Sequence, residues 1–170
     1  MAHLIKNGAV VDDAWTTLAL AEGETPESVA LPAGPVLFPL PVWRARKDEI
    51  LARGAAAGLF LQDDDRVEDV AADLAHFAVV AVNFPKFVNG RGYSTASLLR
   101  QRHGYRGEVR AVGDVLHDQL FFMARVGFDA FALHADKNPA YALEKGFAPF
   151  SERYQAATDQ PLPFFRRRAA

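Results

Sequence analysis

The apolar positions of this chain alternate between short unbroken runs and stretches where they recur every three or four residues. The runs are Val36-Leu37-Phe38, Gly58-Leu59-Phe60-Leu61, Val79-Val80-Ala81-Val82-Asn83-Phe84, Glu108 to Val112 and Ala130-Phe131-Ala132-Leu133. Short apolar strands of this kind suit a parallel sheet buried on both faces. Between them, helices are expected from about Val42 to Ala57, over Val67 to Ala78, from Ser94 to His103 and from Asp114 to Gly127. Asp65 and Glu68 have the spacing of a capping box, Ser94 and Asp114 are candidate N-caps, and Gly104 stops a helix.

Ahead of this alternation, Leu4-Ile5-Lys6 and Ala9-Val10-Val11 flank Asn7-Gly8, which predicts a hairpin closed by a type I′ turn. The pattern therefore divides into a β-hairpin (1–20), a connecting segment rich in Gly, Glu and Pro (21–35), an α/β core (36–146) and a C-terminal segment (147–170) within one domain. About five parallel strands alternating with helices imply an α/β fold. An eight-fold barrel needs about 250 residues, so the expectation is a partial TIM-barrel-like sheet or an open doubly wound one.

Composition narrows the chemistry. The chain has 170 residues, half of them hydrophobic, which is enough to bury a core. A formal charge of -2 lacks the basic excess that nucleic-acid binding calls for. With no cysteine, there are no disulfides, thiolate nucleophiles, Cys-ligated zinc or Cys-ligated iron–sulfur clusters. No apolar run reaches the roughly 20 residues of a membrane span, and the N-terminus lacks a signal core, so a cytoplasmic location is expected.

Ligands of parallel α/β sheets sit beyond the carboxyl ends of the strands. Four segments fall there: Gln62 to Asp65, Lys86 to Ser94, Gly113 to Gln119 and His134 to Asn138. The densest is Lys86-Phe87-Val88-Asn89-Gly90-Arg91-Gly92-Tyr93-Ser94. Two glycines bracket an arginine before a helix start, so Lys86, Arg91, Gly92 and Ser94 are candidate ligands of an oxyanion or other anionic small molecule. The alternative is that the glycines build turns and Arg91 pairs with a neighbouring acid. Neither a Walker loop nor a G-x-G-x-x-G fingerprint is present.

Asp114 is read as an N-cap, or as an acid/base. On a helical wheel Gln119 falls within the apolar arc of Val115, Leu116, Leu120, Phe122, Met123 and Val126, where an amide needs partners. It is either a clamp on the preceding loop or a substrate contact. Phe121 falls on the polar face, where it would meet another chain, leaving a homo-oligomer open, or the C-terminal segment. His134 is a second acid/base candidate; His134-Ala135-Asp136 is a weak metal pattern, and no metal is assigned. The tail from Pro161 to Arg168 joins two phenylalanines to a basic cluster and is either a frayed end or a docking peptide for an acidic partner.

The stretch from Phe87 to Phe131 resembles a proteobacterial family, domain of unknown function 934. The resemblance rests on Asn89-Gly90-Arg91-Gly92-Tyr93-Ser94, Leu98-Leu99-Arg100, Gly104-Tyr105, Gly107-Glu108, Arg110-Ala111-Val112-Gly113-Asp114-Val115, Asp118-Gln119 and Gly127-Phe128-Asp129-Ala130-Phe131. Asn89 stands where the family is expected to carry Asp. That family is commonly labelled an oxidoreductase of sulfite reduction, because its genes lie beside those of assimilatory sulfite reductase. The resemblance thus implies an accessory or partner of sulfite reductase. Together with the Gly-Arg-Gly loop it gives a protein that binds an oxyanion or anionic cofactor at Arg91, Gly92, Ser94 and Asp114 and meets its partner through the Phe121 face or the C-terminal tail. No cofactor is assigned, since no flavin or nicotinamide fingerprint is present and the chain has no cysteine for a cluster. The competing reading is a stand-alone enzyme, with Asp114 or His134 as acid/base and Arg91 holding an anionic substrate.

Overall fold

Asn7 (φ 52°) and Gly8 (φ 72°) both take the left-handed conformation that a type I′ turn requires. They close a hairpin between β1 (His3–Lys6) and β2 (Ala9–Asp12). The computed structural model describes residues 3–134, 136–147 and 152–167. Beyond the hairpin come β3 (Thr16–Thr17), β4 (Val36–Pro39), α1 (Leu40–Ala52), β5 (Ala57–Leu61) and a 3-10 helix at Val67–His76. Next are β6 (Val79–Phe84), α2 (Arg91–Ser97) with a turn of π-helix at Leu98–Arg102, and β7 (Glu108–Gly113). A 3-10 turn (His117–Gln119) leads into α3 (Leu120–Val126), followed by β8 (Ala130–Phe131), α4 (Pro139–Lys145) and α5 (Phe164–Arg167).

The strands form one eight-stranded sheet in the order β2-β1-β8-β7-β6-β5-β4-β3. Strands β3 to β8 are parallel neighbours in sequence order, and β1 joins β8 antiparallel. Because the order never reverses, there is no topological switch point, and the doubly wound alternative is replaced by a curled half-barrel. Right-handed crossovers that always step in one direction put their helices on one face.

The linker after β2 explains the curl. Strands β2 and β3 are the opposite edges of the sheet, yet only residues 13–15 separate them. Four residue steps reach at most about 14 Å, whereas eight strands laid flat would place the edges about 34 Å apart. The sheet must bend until its edges come within reach.

Alternation along the strands gives the two faces different cores. Toward the helices point Phe38, Leu59, Leu61, Val80, Val82, Phe84, Val109 and Ala111, in a continuous apolar cluster. Toward the concave side point Leu37, Val79 and Ala81, with Trp15, Phe60 and Val112 packed against them. Trp15 lies over Gly58, where a Cβ would stand 2.5 Å from Leu37 Cδ2 and 3.0 Å from the indole.

The expected strands form, with β8 shortened to two residues. The expected caps do not. Asp65 turns back to accept the Gln62 N–H (2.8 Å), and the following 3-10 helix begins after Arg66. Ser94 lies inside α2, which starts after Gly90, where Asn89 Oδ1 accepts the Arg91 N–H (3.1 Å). Asp114 precedes an extended Leu116, and the next helical turn begins only at His117.

The wheel through residues 115–126 is also out of phase at its centre. Residues 117–119 form a 3-10 turn, at about 120° per residue rather than 100°, which rotates the next residues of the helix by roughly 60°. Phe122 is therefore 51 % exposed, while Phe121 lies under the Arg153 guanidinium, 5.0 Å from its ring centre. Of the two contacts expected for Phe121, the one with the C-terminal segment is observed. Arg168, at the end of the basic tail, and Ala135 lie outside the described residues.

Candidate functional site

The carboxyl ends of β5, β6, β7 and β8 carry loops that are bonded side to side. Asn83 Nδ2 donates to Gln62 Oε1 (2.8 Å), and Asn89 Nδ2 donates to Asp63 Oδ2 (2.6 Å). The Phe87 N–H donates to Asp114 Oδ2 (2.9 Å), and the His134 N–H to the Val115 carbonyl (3.1 Å). Each loop thus borrows polar partners from its neighbour, which satisfies exposed-edge backbone and holds the rim in one arrangement.

Two glycines make this rim possible. Gly113 (φ 95°) lets the Asp114 N–H reach the Phe84 carbonyl at 2.7 Å. A Cβ there would stand 2.4 Å from that oxygen. Gly92 is buried beneath the Phe84 ring, where a Cβ would stand 2.5 Å from Cζ. Its smallness serves ring packing, and Phe84 in turn meets Tyr93 edge-on at 5.4 Å.

The residues singled out from the sequence fall in separate places. Arg91 and Ser94 line one groove together, opposite Asp63, Asp64, Asp65 and Glu68. Neither Asp114, His134, Lys86 nor Gln119 lines that groove. Within the acidic wall, burial pushes the Asp65 carboxyl above its ordinary value, offset by the Gln62 N–H. Lys86 is exposed on the preceding loop, and among the described residues neither Lys86 nor Arg91 has an ion-pair partner.

Gln119 is buried and joins two elements. Its Oε1 accepts the Leu116 N–H (2.9 Å) and its Nε2 donates to the Tyr93 hydroxyl (3.3 Å). This is the geometry of the loop clamp, and it supplies the helix start that Asp114 does not. Burial pushes the Tyr93 hydroxyl up, and the Asp118 carboxylate adds to the shift against the hydrogen bond from Gln119. His134 is exposed, with Nδ1 2.5 Å from Asp136 Oδ1. Hydrogen bonding to His134, then to Lys137, holds the Asp136 carboxyl below its ordinary value. An imidazole oriented by a carboxylate is the usual support of a general base, but the pair stands on the open surface rather than beside Arg91.

A charged cluster on the concave face was not anticipated from the sequence. Arg110, 2 % exposed, donates from Nε to Glu108 Oε1 (2.6 Å) and from Nη1 to both Asp13 oxygens (2.8 Å each). Lys6 Nζ completes it, 2.5 Å from Glu108 Oε2. Two cations and two anions are paired across three parts of the chain, so the cluster is satisfied internally and latches the linker that spans the sheet edges. The alternation Glu108-Val109-Arg110-Ala111 was the available signal, since it puts both charges on one strand face.

A second missed residue is Arg100. It sits in the π-turn and donates to the carbonyls of Gly127 (2.9 Å), Tyr105 (2.8 Å) and Gly107 (2.7 Å), and to Asp129 (2.8 Å). It ties the end of α2 to the starts of β7 and β8.

Among the described residues no group of three or more His, Cys, Asp or Glu is arranged to hold a metal ion. None of their helices is long and apolar enough to cross a membrane. A family model described as "Bacterial protein of unknown function (DUF934)" matches residues 58–165. No curated protein matches the chain.

Proposed function

The chain belongs to this bacterial family of unknown function, DUF934, and on that premise we propose that it is a cytoplasmic accessory or partner protein of assimilatory sulfite reduction. It docks on the reductase rather than turning over a substrate of its own. The observation that carries this reading is the Lys86–Arg91 loop. Phe87 (47 % exposed) and Val88 (84 % exposed) project from it, while Asp114 holds the backbone at the Phe87 N–H and Asp63 holds the Asn89 side chain.

Large apolar side chains held outward on an ordered loop are the anatomy of a binding anchor. The unpaired charges of Lys86 and Arg91 flank them, so the complementary surface is an apolar pocket with an acidic rim. The oxyanion role read from the sequence is better met this way. Arg91 faces Asp63, Asp64 and Asp65 across its groove, an arrangement that repels a free oxyanion, whereas a partner's carboxylate can approach from the Lys86 side. The stand-alone enzyme has less support, because Asp114 is committed to the Phe87 N–H and His134 lies apart from Arg91.

The test is co-purification of the tagged protein with sulfite reductase from a native lysate, followed by direct titration of the two purified proteins. Wild type is expected to retain the reductase, and Val88→Asp or the charge reversal Lys86→Glu to lose it with an unchanged melting temperature. A wild-type protein that neither retains nor titrates the reductase would overturn the proposal.

A further inference from the structure

A second groove, of about 430 Å³, lies between the 3-10 turn and α4. It opens where β7 and β8 lead into their helices, the end of a parallel β/α sheet at which ligands are held. One wall is Leu116, His117 and Asp118; the other includes Lys137, Tyr141 and Ala142. The His117 and Tyr141 rings meet edge-on with centres 5.3 Å apart, yet Tyr141 is 51 % exposed. An aromatic ring braced by a neighbour and left open to a cavity is a preformed face rather than a core residue.

The charges there do not cancel. Lys137 is paired with Asp136 at 3.0 Å, and Asp136 also holds His134. Among the described residues Asp118 has no cation partner. Asp136, outside the lining, takes up the charge of Lys137, which leaves Asp118 as the charge of the groove without a partner. A carboxylate beside an aromatic face attracts a cation from both sides, through its charge and through the ring quadrupole. Leu116 and Ala142 add an apolar floor, which suits a hydrocarbon body and not a bare metal ion.

We propose that this groove binds a small organic ammonium ion, with the charge between the Asp118 carboxylate and the Tyr141 ring and the hydrocarbon body against Leu116 and Ala142. The site is independent of the docking loop.

The experiment is a titration of the full-length, isotopically labelled chain with benzylamine at neutral pH, read by amide shifts. Benzyl alcohol and benzoate serve as the neutral and anionic probes of the same shape. Saturable shifts are expected at Leu116 to Asp118 and at Tyr141 and Ala142, with benzyl alcohol roughly tenfold weaker. Asp118→Asn should weaken benzylamine by a similar roughly tenfold while leaving benzyl alcohol unchanged, and Asp118→Glu should restore it. A folding defect would move all probes together, so it cannot imitate this pattern. Lys86→Glu and Val88→Asp should leave benzylamine binding intact. Benzoate binding as tightly as benzylamine, shifts that map elsewhere, or an unchanged affinity in Asp118→Asn would each overturn the proposal.

Discussion

The two faces of the sheet solve the same burial problem by opposite means. On the helix side, Leu59, Val80, Phe84 and Val109 bury apolar surface against the helical layer, and the buried charged side chains among the described residues, Glu108 and Arg110, lie on the other face. On the concave side β7 presents Glu108 and Arg110, and an ion network with Asp13 and Lys6 sits beside the smaller apolar cluster of Leu37, Val79 and Ala81. The helix side gains from non-directional burial and tolerates small adjustments. The concave side depends on the direction of a few bonds, since a buried charge is tolerable only while its partners stay in place. The difference shows where the fold is specified by pattern and where by pairing.

That comparison can be broken most severely at Arg110. Arg110→Ala should cost about 3–5 kcal/mol, because it strands Glu108 and Asp13 in a desolvated setting. Denaturant midpoints would measure it, with faster proteolysis near residues 13–15 marking release of the linker. If Arg110→Met, which keeps the apolar stem, restored most of the loss, packing rather than pairing would govern the concave face.

A smaller loss is expected on the helix side from Gly92→Ala. The added methyl meets the Phe84 ring at 2.5 Å, an overpacking that typically costs about 1–3 kcal/mol. Combining it with Phe84→Leu should recover part of the loss, as a double-mutant cycle would show.

The smallest effect concerns the rim of the helical layer and depends on pH. Asp73 accepts hydrogen bonds from Lys47 and from the Trp43 indole, which hold its carboxyl below the ordinary value. A folded value below the unfolded one gives stability that is present above the unfolded pKa and is lost as pH falls through the folded one. Asp73→Asn should remove on the order of 1 kcal/mol near neutrality and flatten the acid limb below about pH 4. Trp43 fluorescence would report both. Asp129 works in the other sense: burial raises its carboxyl against the pull of Arg100. Its contribution is present below the unfolded pKa and lost as pH rises through the folded one.

Much of the core was legible because burial leaves a local trace. The runs at Val36, Leu59, Val79 and Val109 become strands, and Asn7-Gly8 becomes the turn it encodes, since left-handed φ angles are a property of the residues themselves. Asp65, Ser94 and Asp114 were misread as caps because a carboxylate or hydroxyl near a helix start has several N–H groups within reach. Asp65 serves the Gln62 N–H of its own loop and Asp114 the Phe87 N–H of the neighbouring one, while Ser94 lies inside α2. Phe121 and Phe122 exchanged roles because a three-residue 3-10 turn shifts the helical phase, and no periodic pattern announces that turn.

The sequence by itself determined the hairpin, the five core strands and the helical stretches between them, the apolar layer beneath the helices and the exclusion of cysteine chemistry. Each of these follows from residue type and from spacings of a few positions. Only the tertiary structure decided that the sheet curls instead of winding in both directions. It also decided that Arg110 meets Asp13 across 97 positions of chain, and that Arg91 faces three aspartates rather than Asp114 and His134. The reason is physical: an ion pair or a groove forms between groups brought together by chain closure, and closure distances are not written in local pattern.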